Sequence, residues 1–303
     1  MNQKVSKMTE LHKKSETRIS LKEIIQLIRL PNLLIIFLTQ YFTAIFLTGM
    51  NDSYEIYLFD PNLFLLSSST ILIAAAGYII NDYYDIKIDY INRPQKVVVG
   101  KLIKRRIALT THVVFSFFGI LIGLFINIYI GSINLLAAFL LWFYSNHLKR
   151  IPFVGNFAIA LLTALGLMVV TILYPQNYLL VFIYAVFAFF INLIREIIKD
   201  IEDLKGDQAF GCKTLPVIWG IRKTKRLILA ILLIFILLIV WLTIKLDNYF
   251  LKIYFVFLAI PAIVFVQRLI RADSKRDFHL LSEFSKLIML SGIISMIFFK
   301  LIK

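Results

Sequence analysis

The chain is dominated by long apolar runs, which are separated by short charged or turn-forming stretches. A helix that spans a bilayer needs about 20 mostly apolar residues, and nine stretches come close to that length. The runs are continuously apolar rather than alternating, so they predict helices and not the strands of a membrane barrel. We therefore expect an all-α polytopic membrane bundle of about nine transmembrane helices. The predicted spans are roughly 29–50, 62–80, 107–130, 131–146, 154–174, 178–195, 227–246, 249–268 and 285–302.

The composition requires the same environment. Hydrophobic residues make up 60% of the 303 residues and the mean hydropathy is +0.83, which is more apolar than one soluble core of this length can bury. Residues 1–28 are polar and basic and show no signal-peptide pattern. We expect a cytoplasmic N-terminal segment over 1–28, with an interfacial helix near its end, followed by a single transmembrane domain over 29–303.

The few thiol and imidazole groups exclude several kinds of site. Cys212 is the single cysteine, so the chain can form neither an internal disulfide nor a CxxC metal or redox motif. The four histidines, His12, His112, His147 and His279, are scattered without the spacing of metal ligands. Zinc and haem sites are therefore not expected.

The formal net charge of +15 raises the possibility of a nucleic-acid partner, but the basic residues are segregated by loop. With nine spans, 29 of the 33 Lys and Arg residues fall on the side of the N-terminus. This asymmetry is the positive-inside pattern. It predicts a plasma-membrane protein with a cytoplasmic N-terminus, in contact with membrane lipids and not with nucleic acid. The four exceptions are Lys245, Lys252, Lys300 and Lys303.

Acidic residues are few, and a first cluster of them follows the second span. Asn81, Asp85 and Asp89 are spaced by four residues, so a helix that continues out of the membrane places all three on one face. Two like charges on one helical face repel each other. A bound cation would remove that conflict.

A second cluster follows the sixth span, on the same predicted side of the membrane. Asp203 and Asp207 repeat the spacing of four, and Asp200 lies one turn before Asp203. Oxygen ligands without His or Cys favour a hard ion, and Mg²⁺ commonly takes one or two carboxylates together with substrate phosphate oxygens. Two such helix ends that face each other could hold a diphosphate through Mg²⁺. The alternative is that both clusters are solvated loop charges at the ends of membrane helices.

Several basic residues flank the two clusters and could neutralise a leaving diphosphate. Each of them is also explained as an ordinary positive-inside residue. The candidates are Arg93, Lys96, Lys149, Arg150, Arg195 and Lys199.

The two clusters resemble the motifs of the UbiA superfamily of intramembrane prenyltransferases. Residues 81–89 match NDxxDxxxD, and residues 88–94 resemble its IDxxNRP continuation. Residues 200–207, followed by GCKTLP at 211–216, resemble the second aspartate motif and its tail. The resemblance covers the whole chain, and the form REIIKDIEDLKGD is closest to the digeranylgeranylglyceryl phosphate synthase branch. One departure is Lys96, where the family commonly has a second arginine.

The resemblance implies a Mg²⁺-dependent transfer of an isoprenoid chain from a polyprenyl diphosphate to a lipid or aromatic acceptor. The implied Mg²⁺ ligands are Asn81, Asp85, Asp89, Asp200, Asp203 and Asp207, and the implied catalytic residues are Asp85, Asp89, Asp203, Asp207 and Lys149. The implied contacts to the diphosphate donor are Arg93, Lys96, Lys149, Arg195, Lys199 and Tyr144. Aromatic rings near the expected site, which could stabilise an allylic cation, are Tyr83, Tyr84, Trp142, Phe143 and Tyr144. Each of them is also explained by anchoring at the lipid interface or by core packing.

Two other readings remain open at the level of the sequence. A transporter would place ionisable groups near the bilayer midplane, whereas the predicted mid-span positions are almost free of charge. Within the same fold, the acceptor could be geranylgeranylglyceryl phosphate, a hydroxybenzoate, a dihydroxynaphthoate or a haem. The metal chemistry would be common to all of these acceptors.

Overall fold

A computed structural model describes residues 21–50, 52–246 and 249–301, and every named element in these ranges is helical. The longer helices are α2 (Leu30–Phe42, extended by a π-helical turn at Thr43–Thr48), α4 (Pro61–Asn92), α5 (Arg105–Ile126), α6 (Ile128–Asn146), α7 (Val154–Met168), α9 (Tyr178–Glu202), α11 (Leu215–Leu246), α12 (Tyr249–Arg271) and α13 (Lys275–Ser295). Shorter helices are α1 (Leu21–Leu27), α3 (Tyr54–Leu58), α8 (Val170–Leu173), α10 (Leu204–Ala209) and α14 (Phe298–Leu301), and Leu148–Arg150 form a 3₁₀ turn.

The helices agree with the predicted membrane bundle. Eight segments among the described residues are long and apolar enough to cross a membrane. The 23-residue α12 occupies the position of the predicted eighth span. Residues 1–20 of the predicted N-terminal segment lie outside the described residues, and α1 lies near the end of that segment, where a helix was expected.

Local side-chain caps explain where several helices begin. Asp60 accepts a hydrogen bond from the Asn62 backbone at the start of α4 (2.8 Å), and such caps satisfy amides that have no intrahelical partner. Ser274 and Asp277 form a reciprocal capping box at the start of α13. This cap explains why α13 begins about ten residues before the predicted span.

Two further span boundaries differ from the prediction. The break between the third and fourth spans was expected near 130, but it falls at Asn127, whose side chain accepts from the Tyr129 backbone (2.8 Å) and caps α6. The seventh span was expected from 227, whereas α11 begins at Leu215 and changes direction at Gly220 (φ 75°).

Two helices continue beyond the predicted membrane limits and carry the acidic clusters. The predicted ends were residues 80 and 195, whereas α4 runs to Asn92 and α9 to Glu202. The described buried core joins α9 to α11, α12 and α13. Helices α2, α4, α6, α7, α9 and α13 contribute residues to one large central cavity.

Candidate active site

The central cavity has a volume of about 850 Å³ and a polar end joined to an apolar extension. Its polar end is lined by residues of both acidic clusters, including Asn81, Asp82, Asp85, Asp89, Glu196, Asp200, Glu202 and Asp203. Its apolar part is lined by residues that include Ile35, Ile73, Leu141, Leu162, Phe187, Ile191 and Ile288. This shape suits an amphipathic ligand with an anionic or cation-bound head and a hydrocarbon tail.

The first cluster lies along one face of α4. Asn81 donates to Asp85 Oδ2 across one helical turn (2.8 Å), and both residues line the cavity together with Asp89. The spacing of four residues therefore has the consequence that the sequence predicted. Asp85 is almost fully buried, so its charge needs a partner.

Lys149 supplies that partner from the 3₁₀ turn after α6. Its ammonium group donates to Asp85 Oδ2. Burial alone would lower the pKa of Lys149, but the nearby carboxylates, Asp85 above all, raise that pKa well above its usual value. Asp207 is also close enough for its charge to act on Lys149. Lys149 therefore lies between the two acidic clusters.

The second cluster is held against the first by Arg93. Its Nη2 contacts Glu202 Oε1 at 3.2 Å and Asp203 Oδ2 at 3.1 Å. Burial lowers the pKa of Arg93, but the Asp203 and Glu202 carboxylates outweigh this effect and raise it. His279 Nδ1 also approaches Glu202 Oε1 at 3.2 Å.

Asn92 connects the backbones of the two clusters. Its side chain donates to the Asp203 carbonyl (3.0 Å) and accepts from the Gly206 amide (3.0 Å). A Cβ at Gly206 would lie 2.4 Å from Asn92 Nδ2, so glycine permits this close approach. The motif resemblance contains Asn92, but spacing alone did not indicate that it joins α4 to the turn after α9.

Asp200 and Asp207 occupy different surroundings. Asp200 lines the cavity and accepts from Asn156 Nδ2 at 2.8 Å. Asp207 is buried outside the cavity lining, and its Oδ2 accepts from Thr214 (3.2 Å). Burial raises the pKa of Asp207 to about 6. Its Oδ1 is buried without a hydrogen-bond partner among the described residues.

The donor set is suited to a hard cation that also binds a substrate phosphate. No three carboxylate, imidazole or thiol groups are grouped as a metal site within the described parts of the chain. Mg²⁺ does not require such a cage, because one or two carboxylates plus water and phosphate oxygens complete its coordination. The aligned oxygens of Asn81, Asp85 and Asp89 line the cavity and therefore fit this ion. The orphaned Oδ1 of Asp207 is a further buried acceptor beyond the lining.

The remaining predicted residues divide into two groups. Lys96 and Tyr144 line the cavity. Arg195 and Lys199 also line it, and both contact Glu196 rather than a carboxylate that the sequence proposed as a metal ligand.

The other aromatic residues predicted near the site lie outside the cavity lining, namely Tyr83, Tyr84, Trp142 and Phe143. Tyr83 instead lies beneath the Arg105 guanidinium, 4.7 Å from ring centroid to Cζ. Tyr78, which the prediction omitted, lines the cavity one helical turn before Asp82.

The fold and this cavity define a membrane-embedded protein whose site combines charged helix ends with an apolar chamber for a hydrocarbon tail. A model of the UbiA prenyltransferase family matches residues 41–288. Digeranylgeranylglyceryl phosphate synthase of Methanosphaera stadtmanae is 33% identical over 274 residues, which are 89% of this chain and 96% of the relative. The synthase of the same name from Saccharolobus solfataricus is 36% identical over 222 residues, or 73% and 76% of the two chains.

Solved structures show the same fold. The structure of a digeranylgeranylglyceryl phosphate synthase in membranes is 25% identical, with a TM-score of 0.67 over 92% of this chain and 97% of the other. A UbiA homologue from Archaeoglobus fulgidus, bound to DMAPP and Mg²⁺, is 18% identical, with a TM-score of 0.62 over 90% and 99%. The chain belongs to the UbiA prenyltransferase family. It is therefore an integral membrane prenyltransferase.

Proposed function

We propose that this chain transfers a geranylgeranyl group from its diphosphate to geranylgeranylglyceryl phosphate and releases diphosphate. The observation that carries the proposal is the single cavity that joins both acidic clusters to a deep apolar chamber. The chain aligns with almost the whole length of a relative named for this product. A lipid acceptor also suits the chamber, because its hydrocarbon chain needs an apolar lining.

The proposed donor site lies between the ends of α4 and α9. Two Mg²⁺ ions would be held by oxygens drawn from Asn81, Asp85, Asp89, Asp200, Asp203 and Asp207, and when bound they would supply Lewis-acid stabilisation of the leaving diphosphate. Lys149 and Arg93, which already contact carboxylates of the two clusters, would place fixed positive charge beside the same group. Lys96 lines this end of the cavity and would add a further charge.

The apolar chamber has a chemical role as well as a binding role. Cleavage of the allylic C–O bond leaves a cationic carbon that water would quench, and a dry chamber excludes that reaction. Tyr144 lines the cavity beside Lys149, where its ring would face the developing cation. The acceptor hydroxyl oxygen would then bond to this carbon to form the new ether, and its proton would pass to the released diphosphate.

The proposed topology places this site at the cytoplasmic face of the plasma membrane. The segregation of Lys and Arg supports this orientation. Lys300 lies at the opposite end of α2 from Arg29, and donates to the carbonyls of Ile45 (3.3 Å) and Gly49 (3.1 Å). We propose residues 29–303 as one transmembrane domain, preceded by a cytoplasmic segment.

The test is a transfer assay with purified protein in liposomes. Labelled geranylgeranyl diphosphate and Mg²⁺ are supplied with geranylgeranylglyceryl phosphate, 4-hydroxybenzoate or 1,4-dihydroxy-2-naphthoate. We expect product with the first acceptor alone, and its loss in EDTA and in the Asp85→Ala and Asp203→Ala variants. Product with an aromatic acceptor instead would overturn the acceptor assignment. Absence of Mg²⁺-dependent binding of the diphosphate would overturn the proposed donor site.

A further inference from the structure

A basic cluster formed by Arg29, Arg195 and Lys199 lines the cavity beside the donor site. Arg29 Nη2 contacts Asp82 Oδ1 at 2.8 Å, and its guanidinium lies over the Tyr78 ring with Cζ 4.9 Å from the centroid. On α9, Arg195 Nη1 contacts Glu196 Oε1 at 2.6 Å. Lys199 approaches the same carboxylate at 3.1 Å.

These groups form one electrostatic unit. Arg29, Arg195 and Lys199 line the same cavity, and the charges of all three act on Glu196. The three cations contact two carboxylates, Asp82 and Glu196, and the nearby Glu283, on which Arg195 also acts, is paired with Lys286. The unit has a net positive charge that a bound anion would balance.

The hydrogen-bonding capacity of this unit is incompletely used. Arg195 Nε is buried and has no hydrogen-bond partner among the described residues. A buried donor without a partner costs about 1–3 kcal/mol, so a ligand that satisfies it gains that energy. A phosphate monoester offers three acceptor oxygens and matches the planar donors of an arginine.

The backbone also holds Arg29 in an uncommon conformation. Arg29 lies between α1 and α2 with φ 52° and ψ 51°, in the left-handed region. A non-glycine residue there carries strain of about 1 kcal/mol or more, and such strain clusters at binding sites. Here the strained position directs the Arg29 side chain to Tyr78 and Asp82 in the cavity wall.

The arginine part of this cluster is offset from the donor carboxylates by about one helical turn on α9, and Lys199 borders them. On α9, Arg195 and Glu196 lie at least one turn before Asp200, whereas Lys199 directly precedes it. On α4, Asp82 lies between Asn81 and Asp85. One turn corresponds to roughly 5 Å along the helix. The cations of the proposed donor site, Lys149 and Arg93, are engaged with other carboxylates. An anion held by Arg29 and Arg195 can therefore be bound together with the donor diphosphate, with Lys199 between the two.

We propose that Arg29, Arg195 and Lys199 form a binding site for the phosphate monoester of the acceptor lipid. This inference rests on the proposed function. In a glycerol phosphate ether lipid, only a few bonds separate the free hydroxyl from the phosphate, a span comparable to one helical turn. A phosphate at the cluster thus places the hydroxyl beside the first carbon of the donor, while the hydrocarbon chain extends into the apolar chamber.

The test compares acceptors with and without the phosphate. For Arg195→Gln and Lys199→Gln, the KM for geranylgeranylglyceryl phosphate should rise about 10–100-fold, because each variant loses a charge-assisted hydrogen bond. The KM for geranylgeranyl diphosphate should stay within about twofold. With geranylgeranylglycerol, which has no phosphate, wild type and variants should have equal and low activity. Arg195→Lys, which keeps the charge, should recover part of the affinity.

Two matched variants complete the comparison. Arg93→Gln should show the reciprocal result, a raised donor KM with little change for the acceptor. Lys205→Gln removes an exposed lysine outside the cavity lining and should change neither constant.

The proposal is overturned if Arg195→Gln raises the donor KM instead, or if it lowers activity equally with both acceptors. The first result would assign the cluster to the donor diphosphate, and the second would show a structural role alone. Thermal stabilisation by each acceptor without donor provides an independent readout. Stabilisation by the phosphorylated lipid that needs Arg195, in a protein without transfer activity, would support this site and contradict the proposed function.

Discussion

The Asn92 bridge leads to a prediction about how the two acidic clusters are held in register. In the Asn92→Ala variant the Gly206 amide and the Asp203 carbonyl both lose their side-chain partner. The first bond is buried and the second is partly buried. Loss of a partner costs about 1–3 kcal/mol for a buried group and roughly 1 kcal/mol for a partly buried one. The expected loss of stability is therefore about 2–4 kcal/mol.

The assay is thermal unfolding of the purified protein in detergent, together with donor binding. For a chain of this size each kcal/mol lowers the midpoint by roughly 2 °C, so the expected shift is about 4–8 °C. Affinity for the diphosphate in Mg²⁺ should also fall, because the turn after α9 carries Asp203 and Asp207.

Asn92→Asp is the matched control for size. It keeps the acceptor for the Gly206 amide but faces the Asp203 carbonyl with an oxygen, so one bond is lost and a repulsion is added. We expect a loss of stability of about 1–3 kcal/mol, with the Gly206 contact retained. A melting midpoint of Asn92→Ala within 1 °C of wild type, with unchanged donor affinity, would refute the reasoning, since two hydrogen bonds would then have no measurable effect.

Three further predictions concern other parts of the structure. Gly166 lines the cavity, and a Cβ there would meet no atom within 4 Å. Ile159 and Thr163 line the cavity from the same face of α7, so the side chain of Gly166→Phe should fill the chamber. In competition between donors the preference should shift towards shorter chains, whereas an unchanged preference would place the tail elsewhere. Lys149→Met removes the ion-pair partner of Asp85. The free energy of unfolding should fall by about 3 kcal/mol in EDTA and by less in excess Mg²⁺. Equal losses under the two conditions would argue against a cation site at Asp85. In Gly123→Val, the new Cβ would lie 2.6 Å from Asn134 Nδ2, which would loosen the packing of α5 on α6. The melting midpoint should therefore fall by several degrees, and an unchanged midpoint would contradict this packing.

The sequence predicted the elements of this fold well because the signals are local. Continuous apolar runs of spanning length predict helices. The boundaries were less accurate, since they depend on single side chains. Asn127 ends one predicted span early by capping the next helix, and Ser274 starts α13 early in the same way. Helices α4 and α9 continue past their predicted spans, and a search for apolar runs does not score the polar cavity-lining residues of these extensions.

The candidate site was predicted in part. The spacing of Asn81, Asp85 and Asp89 placed them on one helical face, and the structure agrees. The spacing argument also matched Asp207 with Asp203, yet Asp207 is buried outside the cavity lining. The direction of a side chain on a short helix depends on how that helix packs. The angle between α9 and α10, which sets the direction of Asp207, cannot be predicted from the spacing of residues in the sequence.

The sequence by itself determined that this chain is a helical membrane protein, that most of its basic residues fall in the N-terminal segment and alternate loops between predicted spans, and that an acidic cluster follows each of two spans. These properties depend on residues close together in the chain. Only the tertiary structure decided that Lys149 pairs with Asp85, that Arg93 and Asn92 tie α4 to the end of α9, and that Arg29 joins Arg195 near Glu196. These pairings join residues that are far apart in sequence. Each depends on the rotation and packing of whole helices, which local spacing cannot specify.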